Sequence, residues 1–327
     1  MKTHNSFQYS MTKSSESGFQ NHALELFKYQ ARHNSTYSEY LKHLNTKPEK
    51  VNFIAEIPFM PIEFFKSAVI KTNEWQEETI FESSGTTGNY PSKHYVKNLE
   101  YYQNHSRILF ERQFGPVKEW TILALLPSFL ERQGSSLIAM VDYLIRTGGH
   151  TDSGFYLNQL DELVERMESL RDNGKVMLFG VSFAILELAE KYNLDLSHVT
   201  LVETGGMKGR RVEPTRDELY QQLREHLNFQ HIYSEYGMTE LFSQAYGLNG
   251  RFKCPESMQL MIRDINDPFN YVTAGRTGGV NVIDLANFDT CAFVETKDIG
   301  RAHSDGTIEI LGRFDNSELR GCNLLVV

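Results

Sequence analysis

Three short apolar runs constrain this chain more than any other feature: TILALL at 121–126, KVMLF at 175–179 and VTLV at 199–202. Each is too short for a buried helix and rich in branched aliphatic residues. None is interrupted by charge, as in strands that a parallel sheet buries on both faces. The stretches between them carry helical periodicity. Leu137, Met140, Val141, Leu144 and Ile145 fall on one stripe, and Leu160, Leu163, Val164, Met167 and Leu170 on another. A third helix is expected from Pro214, which suits a first turn, carrying Leu219, Leu223 and Leu227. Strand–helix alternation of this kind implies an α/β fold with mainly parallel sheets flanked by helices.

The remainder of the chain frames that core. The first 75 residues read as helical and aromatic-rich, with Leu24, Phe27, Tyr37, Tyr40 and Leu41 among polar neighbours. Pro58 and Pro61 make residues 57–67 a packed loop or short extended segment. After Pro255 the helical stripes end, and 258–262, 280–285, 292–295 and 307–311 read as strands between Gly, Asn and Asp turns. The expected division is an α/β core at 1–254 and a smaller β-rich C-terminal subdomain at 255–327 packed on it. No stretch approaches the ~18–20 apolar residues that a membrane span needs. With 33 Lys+Arg against 42 Asp+Glu the net charge is −9, which disfavours a nucleic-acid partner. Cys254, Cys291 and Cys322 form no CxxC pair, and the N-terminal residues lack the apolar core of a secretory signal. A cytoplasmic setting with free thiols is expected.

Four local signals carry chemistry. Ser83-Ser84-Gly85-Thr86-Thr87-Gly88 follows a short β-rich run, and its glycines and hydroxyls suit a loop that wraps phosphate oxygens. The glycine spacing is not that of a Walker loop, and a flexible polar turn reads equally well. Glu203-Thr204-Gly205-Gly206 closes the run at 199–202, at the strand end where open α/β sheets bind ligands; a plain glycine turn is the alternative. In Tyr233-Ser234-Glu235-Tyr236-Gly237-Met238-Thr239-Glu240 an aromatic ring suits a base, the glycine permits close approach, Thr239 suits a phosphate and Glu240 a magnesium ion. A turn with a packed Tyr and a solvated Glu is the alternative there. Finally, Thr296-Lys297-Asp298-Ile299-Gly300-Arg301 and Gly312-Arg313-Phe314-Asp315 pair a carboxylate suited to ribose hydroxyls with a cation suited to phosphate, or form a surface ion pair.

The order of these segments between about Thr79 and Gly321 resembles the adenylate-forming superfamily of acyl-CoA synthetases, adenylation domains and luciferases. That resemblance implies a Mg-ATP-dependent enzyme that joins a carboxylate to AMP, releases pyrophosphate and passes the acyl group to a thiol. It would place Ser84, Gly85, Thr86, Thr87 and Gly88 around the phosphates, and Gly205, Gly206, Tyr236 and Gly237 along the adenine and acyl carboxylate. Thr239 would touch a phosphate, Glu240 the magnesium, Asp298 the ribose and Arg313 the nucleotide.

Residues 126–137 (LPSFLERQGSSL) and the ending GRFDNSELRGCNLLVV are similar to the LuxE family of acyl-protein synthetases. In that family a cysteine near the C-terminus takes the acyl group from the adenylate, and the matching residue is Cys322. A fatty, long-chain acid and a partner reductase or acyltransferase are then implied. Thiolate attack on an acyl-adenylate is chemically easy, and Arg320 would favour the thiolate; a small packed hydrophobe is the other account of Cys322. Cys254 and Cys291 read as packing residues. Superfamily enzymes continue past the GRFD-like element into a mobile domain carrying a lysine, whereas this sequence ends at Val327. Lys93, Lys208, Arg210 and Arg211 are candidate substitutes for that charge. Two alternatives keep the nucleotide site: transfer to coenzyme A or a carrier protein, or a non-catalytic nucleotide-binding subunit of a reductase complex.

Overall fold

A computed structural model of the protein describes residues 16–83, 90–127, 134–205 and 215–314, without the side chains of residues 16 and 17. The strands are β1 (Met60–Pro61), β2 (Thr79–Glu82), β3 (Lys93–Val96), β4 (Trp120–Leu125), β5 (Gly154–Phe155), β6 (Lys175–Val181), β7 (Val199–Thr204), β8 (His231–Tyr236), β9 (Ala245–Leu248), β10 (Arg251–Lys253), β11 (Met258–Arg263), β12 (Thr277–Asp284), β13 (Phe293–Ala302) and β14 (Ile308–Arg313). The helices are α1 (Glu16–His33), α2 (Ser35–His43), α3 (Phe64–Ser67), α4 (Leu99–Phe114), α5 (Ser136–Gly148), α6 (Leu160–Ser169), α7 (Ser182–Lys191) and α8 (Arg216–Leu227).

One mixed sheet runs in the order β11-β12-β13-β14-β10-β9-β8-β7-β6-β4-β5, with β1 on β13. The expected parallel core is present: β5, β4, β6, β7 and β8 are all parallel. At β8 the direction changes, because β9 returns antiparallel and leads into the antiparallel C-terminal strands. β2 and β3 form a separate hairpin. β4 is buried at every residue and β6 at all but its first, the pattern of strands covered on both faces.

The two predicted stripes lie inward: Met140, Val141, Leu144, Leu163, Met167 and Leu170 are buried, with Leu137, Ile145, Leu160 and Val164 packed at their margins. α8 starts two residues later than the sequence suggested. Thr215 is its N-cap and forms a capping box with Glu218, so Arg216 opens the helix and Pro214 lies outside the described residues. Residues 57–67 hold β1 and the short α3.

The buried apolar side chains form two clusters. One core gathers residues between Phe81 and Tyr246 around the parallel strands, joined by Ala286. The other combines the N-terminal helices with β11–β14: Phe27, Tyr37 and Phe59 surround the Phe293 ring at centroid distances of 5.8, 6.2 and 6.1 Å. No helix among the described residues is long and apolar enough to cross a membrane.

Candidate active site

A cavity of about 180 Å³ lies at the carboxyl ends of the parallel strands, the position where open α/β sheets bind ligands. Its walls come from Leu126 and Pro127 after β4, Val181 ending β6, Thr204 and Gly205 ending β7, and Glu235 near the end of β8. Gly237, Met238 and Thr239 follow in the turn, and Ser135–Leu137 enter from the start of α5. Glu82, at the end of β2, also lines it. The lining includes the apolar Leu126, Ile138, Met140, Val181 and Phe242 and the polar Thr204, Glu235, Ser243 and Gln244. No Lys, Arg or His is among the described lining residues.

Two carboxylates sit side by side at the ends of β7 and β8, on opposite faces of the sheet. Register pairs Glu203 with Ser234 and Thr204 with Glu235. Glu203 is buried and engaged at both oxygens: Ser182 and Ser234 hydroxyls donate to them at 2.8 and 2.6 Å, and the Tyr220 hydroxyl donates in turn to that of Ser234 at 2.5 Å. Glu235 faces the cavity, where the Thr204 hydroxyl donates to one oxygen. Burial, reinforced by the charge of Glu203 and opposed by the Thr204 bond, pushes the Glu235 carboxyl up to about 7. A Cβ at Gly237 would overlap Oε1 of Glu235, so a larger residue there would make the carboxylate shift.

A second group gathers on the far side of the same turn. The Tyr236 hydroxyl donates to Asp298 at 2.8 Å, and Arg313, opposite Asp298 in the β13–β14 ladder, brings Nε to 3.6 Å from the other oxygen. Burial raises the Asp298 pKa, with Arg313 opposing it. Tyr236 is buried edge-on against Phe252, at a centroid distance of 5.9 Å, and is not among the cavity walls. Glu240 is also buried; desolvation raises its pKa, a Ser92 hydrogen bond and the Arg313 charge lower it, and Asp298 raises it again. His94 ties the hairpin to the turn. Its Nδ1 donates to the Thr239 carbonyl at 2.8 Å, which leaves Nε2 to accept from the Thr290 hydroxyl at 3.0 Å. Burial holds the His94 pKa down at about 4, so the ring is neutral.

Thus Gly205, Gly237 and Thr239 line the cavity, while Tyr236, Glu240, Asp298 and Arg313 form an adjoining polar group. Ser84, Gly85, Thr86, Thr87, Gly88, Gly206 and Cys322 lie outside the described residues, as do Lys208, Arg210 and Arg211. The strand ends that bracket residues 84–88 do reach the site, through Glu82 at the cavity and Ser92 at Glu240. Lys93 pairs with Glu82 at 3.7 Å. Cys254 and Cys291 are packing residues: burial pushes their thiols up to about 11 and about 12.

Glu240 fits a magnesium ligand by chemistry. It is a desolvated carboxylate without an ion-pair partner among the described residues, and Mg²⁺ is commonly held by one or two carboxylates plus substrate phosphates and water. Sequence reasoning passed over Glu235 and Glu203, although both stood inside the quoted motifs. The available signal was two acidic residues each within two positions of a glycine at the end of an apolar strand.

No protein-family model matches the chain, and no curated protein matches it. Solved structures share its fold. 2-Hydroxyisobutyryl-CoA ligase in the postadenylation state, in complex with 2-HIB-AMP, is similar with a TM-score of 0.68 at 14% identity, over 92% of this chain and 69% of that one. The same ligase in complex with 2-HIB-AMP and CoA, in the thioesterification state, gives 0.68 at 15% identity, over 96% and 72%. ATP-bound MatB from Rhodopseudomonas palustris gives 0.55 at 14% identity over 74% of this chain; this chain spans 49% of MatB, about half its length. At such identities the likeness is one of fold.

Proposed function

We propose that this protein activates a fatty, long-chain carboxylic acid with Mg-ATP and passes the acyl group to the thiol of Cys322. A carboxylate oxygen attacks the α-phosphorus, pyrophosphate departs with the bonding electrons, and acyl-AMP forms. The thiolate then attacks the acyl carbonyl, AMP leaves, and a thioester is ready for a partner reductase or acyltransferase. The observation that carries the proposal is convergence: the Thr204–Gly205 turn, the Gly237–Thr239 turn and the hairpin end at Glu82 meet at one cavity. The Tyr236–Asp298–Arg313 group adjoins it through the same turn. The fold shared with ATP-bound and acyl-adenylate-bound ligases supports the same chemistry.

In this scheme Asp298 accepts from ribose hydroxyls while the Tyr236 hydroxyl holds its other oxygen, and Arg313 balances phosphate charge. Thr239 donates to a phosphate, and Gly205 lets the backbone approach the nucleotide. Glu240 would hold Mg²⁺, which when bound screens the charge of the phosphates. The apolar lining residues Leu126, Ile138, Met140, Val181 and Phe242 favour an aliphatic chain. The cytoplasm, where thiols stay reduced, suits the cysteine step.

Incubation with ATP, magnesium and radiolabelled fatty acid, followed by a denaturing gel, tests this. Hydroxylamine-labile label on the protein is expected, and Cys322→Ser should abolish it. Glu240→Ala should cut acid-dependent pyrophosphate exchange sharply; unchanged exchange refutes the metal role. A second reading is favoured by the similar ligase that was solved with CoA: transfer to coenzyme A, with Cys322 dispensable. Exchange without protein label, with acyl-CoA formed when CoA is added, selects it.

A further inference from the structure

Arg263, at the end of β11, is a buried cation that no step of the proposed reaction uses. It stands opposite Gly279 in the β11–β12 ladder, and its side chain lies across that glycine, where a Cβ would overlap the guanidinium. From there it reaches two further strands. Nη1 donates to the Val280 carbonyl at 3.0 Å and to Asn281 Oδ1 at 3.1 Å, and Nη2 donates to the Thr296 carbonyl on β13 at 2.9 Å. Glu295 Oε1 lies 3.4 Å from Nη2, and the Phe314 ring centroid is 5.9 Å from Cζ.

These bonds fall at a break in the β12–β13 ladder. Asn281 pairs with Glu295 and Gly279 with Ile299, so Val280 alone faces Thr296, Lys297 and Asp298. A bulge of this kind takes backbone groups out of the ladder and re-aims side chains, and the freed carbonyls still need donors. Side chains supply them here. The Val280 carbonyl accepts from Arg263 and from the Thr296 hydroxyl at 2.8 Å, and the Thr296 carbonyl accepts from Arg263. The same Thr296 hydroxyl accepts from the Asp298 amide at 3.1 Å. Asp298 closes the bulge, meets the Tyr236 hydroxyl and stands opposite Arg313. Burial raises its pKa, while Arg313, the Tyr236 bond and then the Arg263 charge oppose that.

We propose that Arg263 is the positioning residue of the nucleotide site, its guanidinium holding the 296–298 bulge in the shape that presents the Asp298 carboxylate to the ribose. This rests on the reading that Asp298 accepts from ribose hydroxyls. Arg263 acts through Asp298 and does not itself meet the nucleotide. The task suits a planar fork, whose two nitrogens serve carbonyls on two strands at once; a lysine ammonium is a point charge and cannot span them in that geometry. Because Phe314 directly follows Arg313 in the chain, the same guanidinium also bears on the end of β14.

Isothermal titration calorimetry of the full chain with Mg-ATP and with its 2′-deoxy and 3′-deoxy analogues tests this. The unaltered protein should bind ATP more tightly than at least one deoxy analogue by about tenfold, the order of one hydrogen bond to a charged group. Arg263→Lys keeps the charge and loses the fork, and should bring that ratio of Kd values close to one. Gly279→Ala, whose methyl group displaces the guanidinium with the arginine still present, should lower the ratio as well. The ratio compares two nucleotides on one sample, so it does not depend on how much of a variant folds, and a merely structural role of Arg263 would leave it unchanged. An unchanged ratio in Arg263→Lys overturns the inference, because charge alone then suffices or the bulge holds without the fork. An unchanged ratio in Gly279→Ala overturns it too, and both results leave the ribose role of Asp298 standing. Equal binding of ATP and both deoxy analogues by the unaltered protein overturns that role and the inference together. Loss of the ratio in both variants upholds the inference, even if acid-dependent pyrophosphate exchange is absent and acid activation falls.

Discussion

At pH 8 the Glu235 carboxyl is ionised in surroundings that favour its protonated form. Burial, with the charge of Glu203 alongside, moves it from an ordinary 4.5 to about 7. A carboxyl raised by folding leaves stability untouched below its unfolded pKa and lowers stability as pH climbs from there through its folded pKa. The window here is therefore pH 4.5 to 7. Integrated over 2.5 pH units at 1.36 kcal/mol each, the penalty reaches about 3 kcal/mol at pH 8 and less than half of that at pH 5.5. Glu235→Gln keeps the shape, stays neutral at every pH and still accepts from Thr204. It should be more stable than the unaltered protein by about 2–3 kcal/mol at pH 8, after allowance for a weaker bond from Thr204. The gain should fall to about 1 kcal/mol at pH 5.5 and vanish near pH 4. Urea unfolding of both proteins across this range measures the difference directly, and the subtraction cancels other raised carboxyls such as Asp284 and Glu240. A difference that stays flat with pH, or a variant less stable at pH 8, would show that Glu235 is solvated or paired and would refute the assignment.

Gly237→Ala should force the Glu235 carboxylate off the Thr204 hydroxyl and cost about 1–3 kcal/mol; paired with Glu235→Ala, which removes the clash, most of that loss should disappear in a double-mutant cycle by chemical denaturation. Tyr236→Phe leaves Asp298 without its 2.8 Å donor, so stability should fall by about 1–2 kcal/mol, and on the proposed function the KM for ATP should rise more than kcat falls in steady-state exchange kinetics. Phe293→Ala empties the space among Phe27, Tyr37 and Phe59 and should destabilise by about 3–5 kcal/mol, with hydrogen exchange accelerating in α1 and α2 as well as in β13.

The sequence alone determined the α/β alternation. Short apolar runs are best satisfied, backbone and side chains together, as strands covered on both faces, and stripes at 3.6 spacing as helices lying on them. It also pointed to the 236–240 turn and to Asp298 with Arg313, because a glycine or a turn at a strand end is a local property. What it left open were relations between distant segments. Tyr236 looks in sequence like a ring free to cover a base, yet the arrival of β10 and β13 buries it against Phe252 and aims its hydroxyl at Asp298. Glu235 looks like the solvent-facing partner of an alternating strand. Only the placement of β8 in mid-sheet, with β7 bringing Thr204 alongside it and α4 and α5 helping to close that face, turns it into a cavity group. Period-two patterning tells which residues share a face; it carries no information on whether that face meets water, another helix or a ligand, and that is decided when the layers stack.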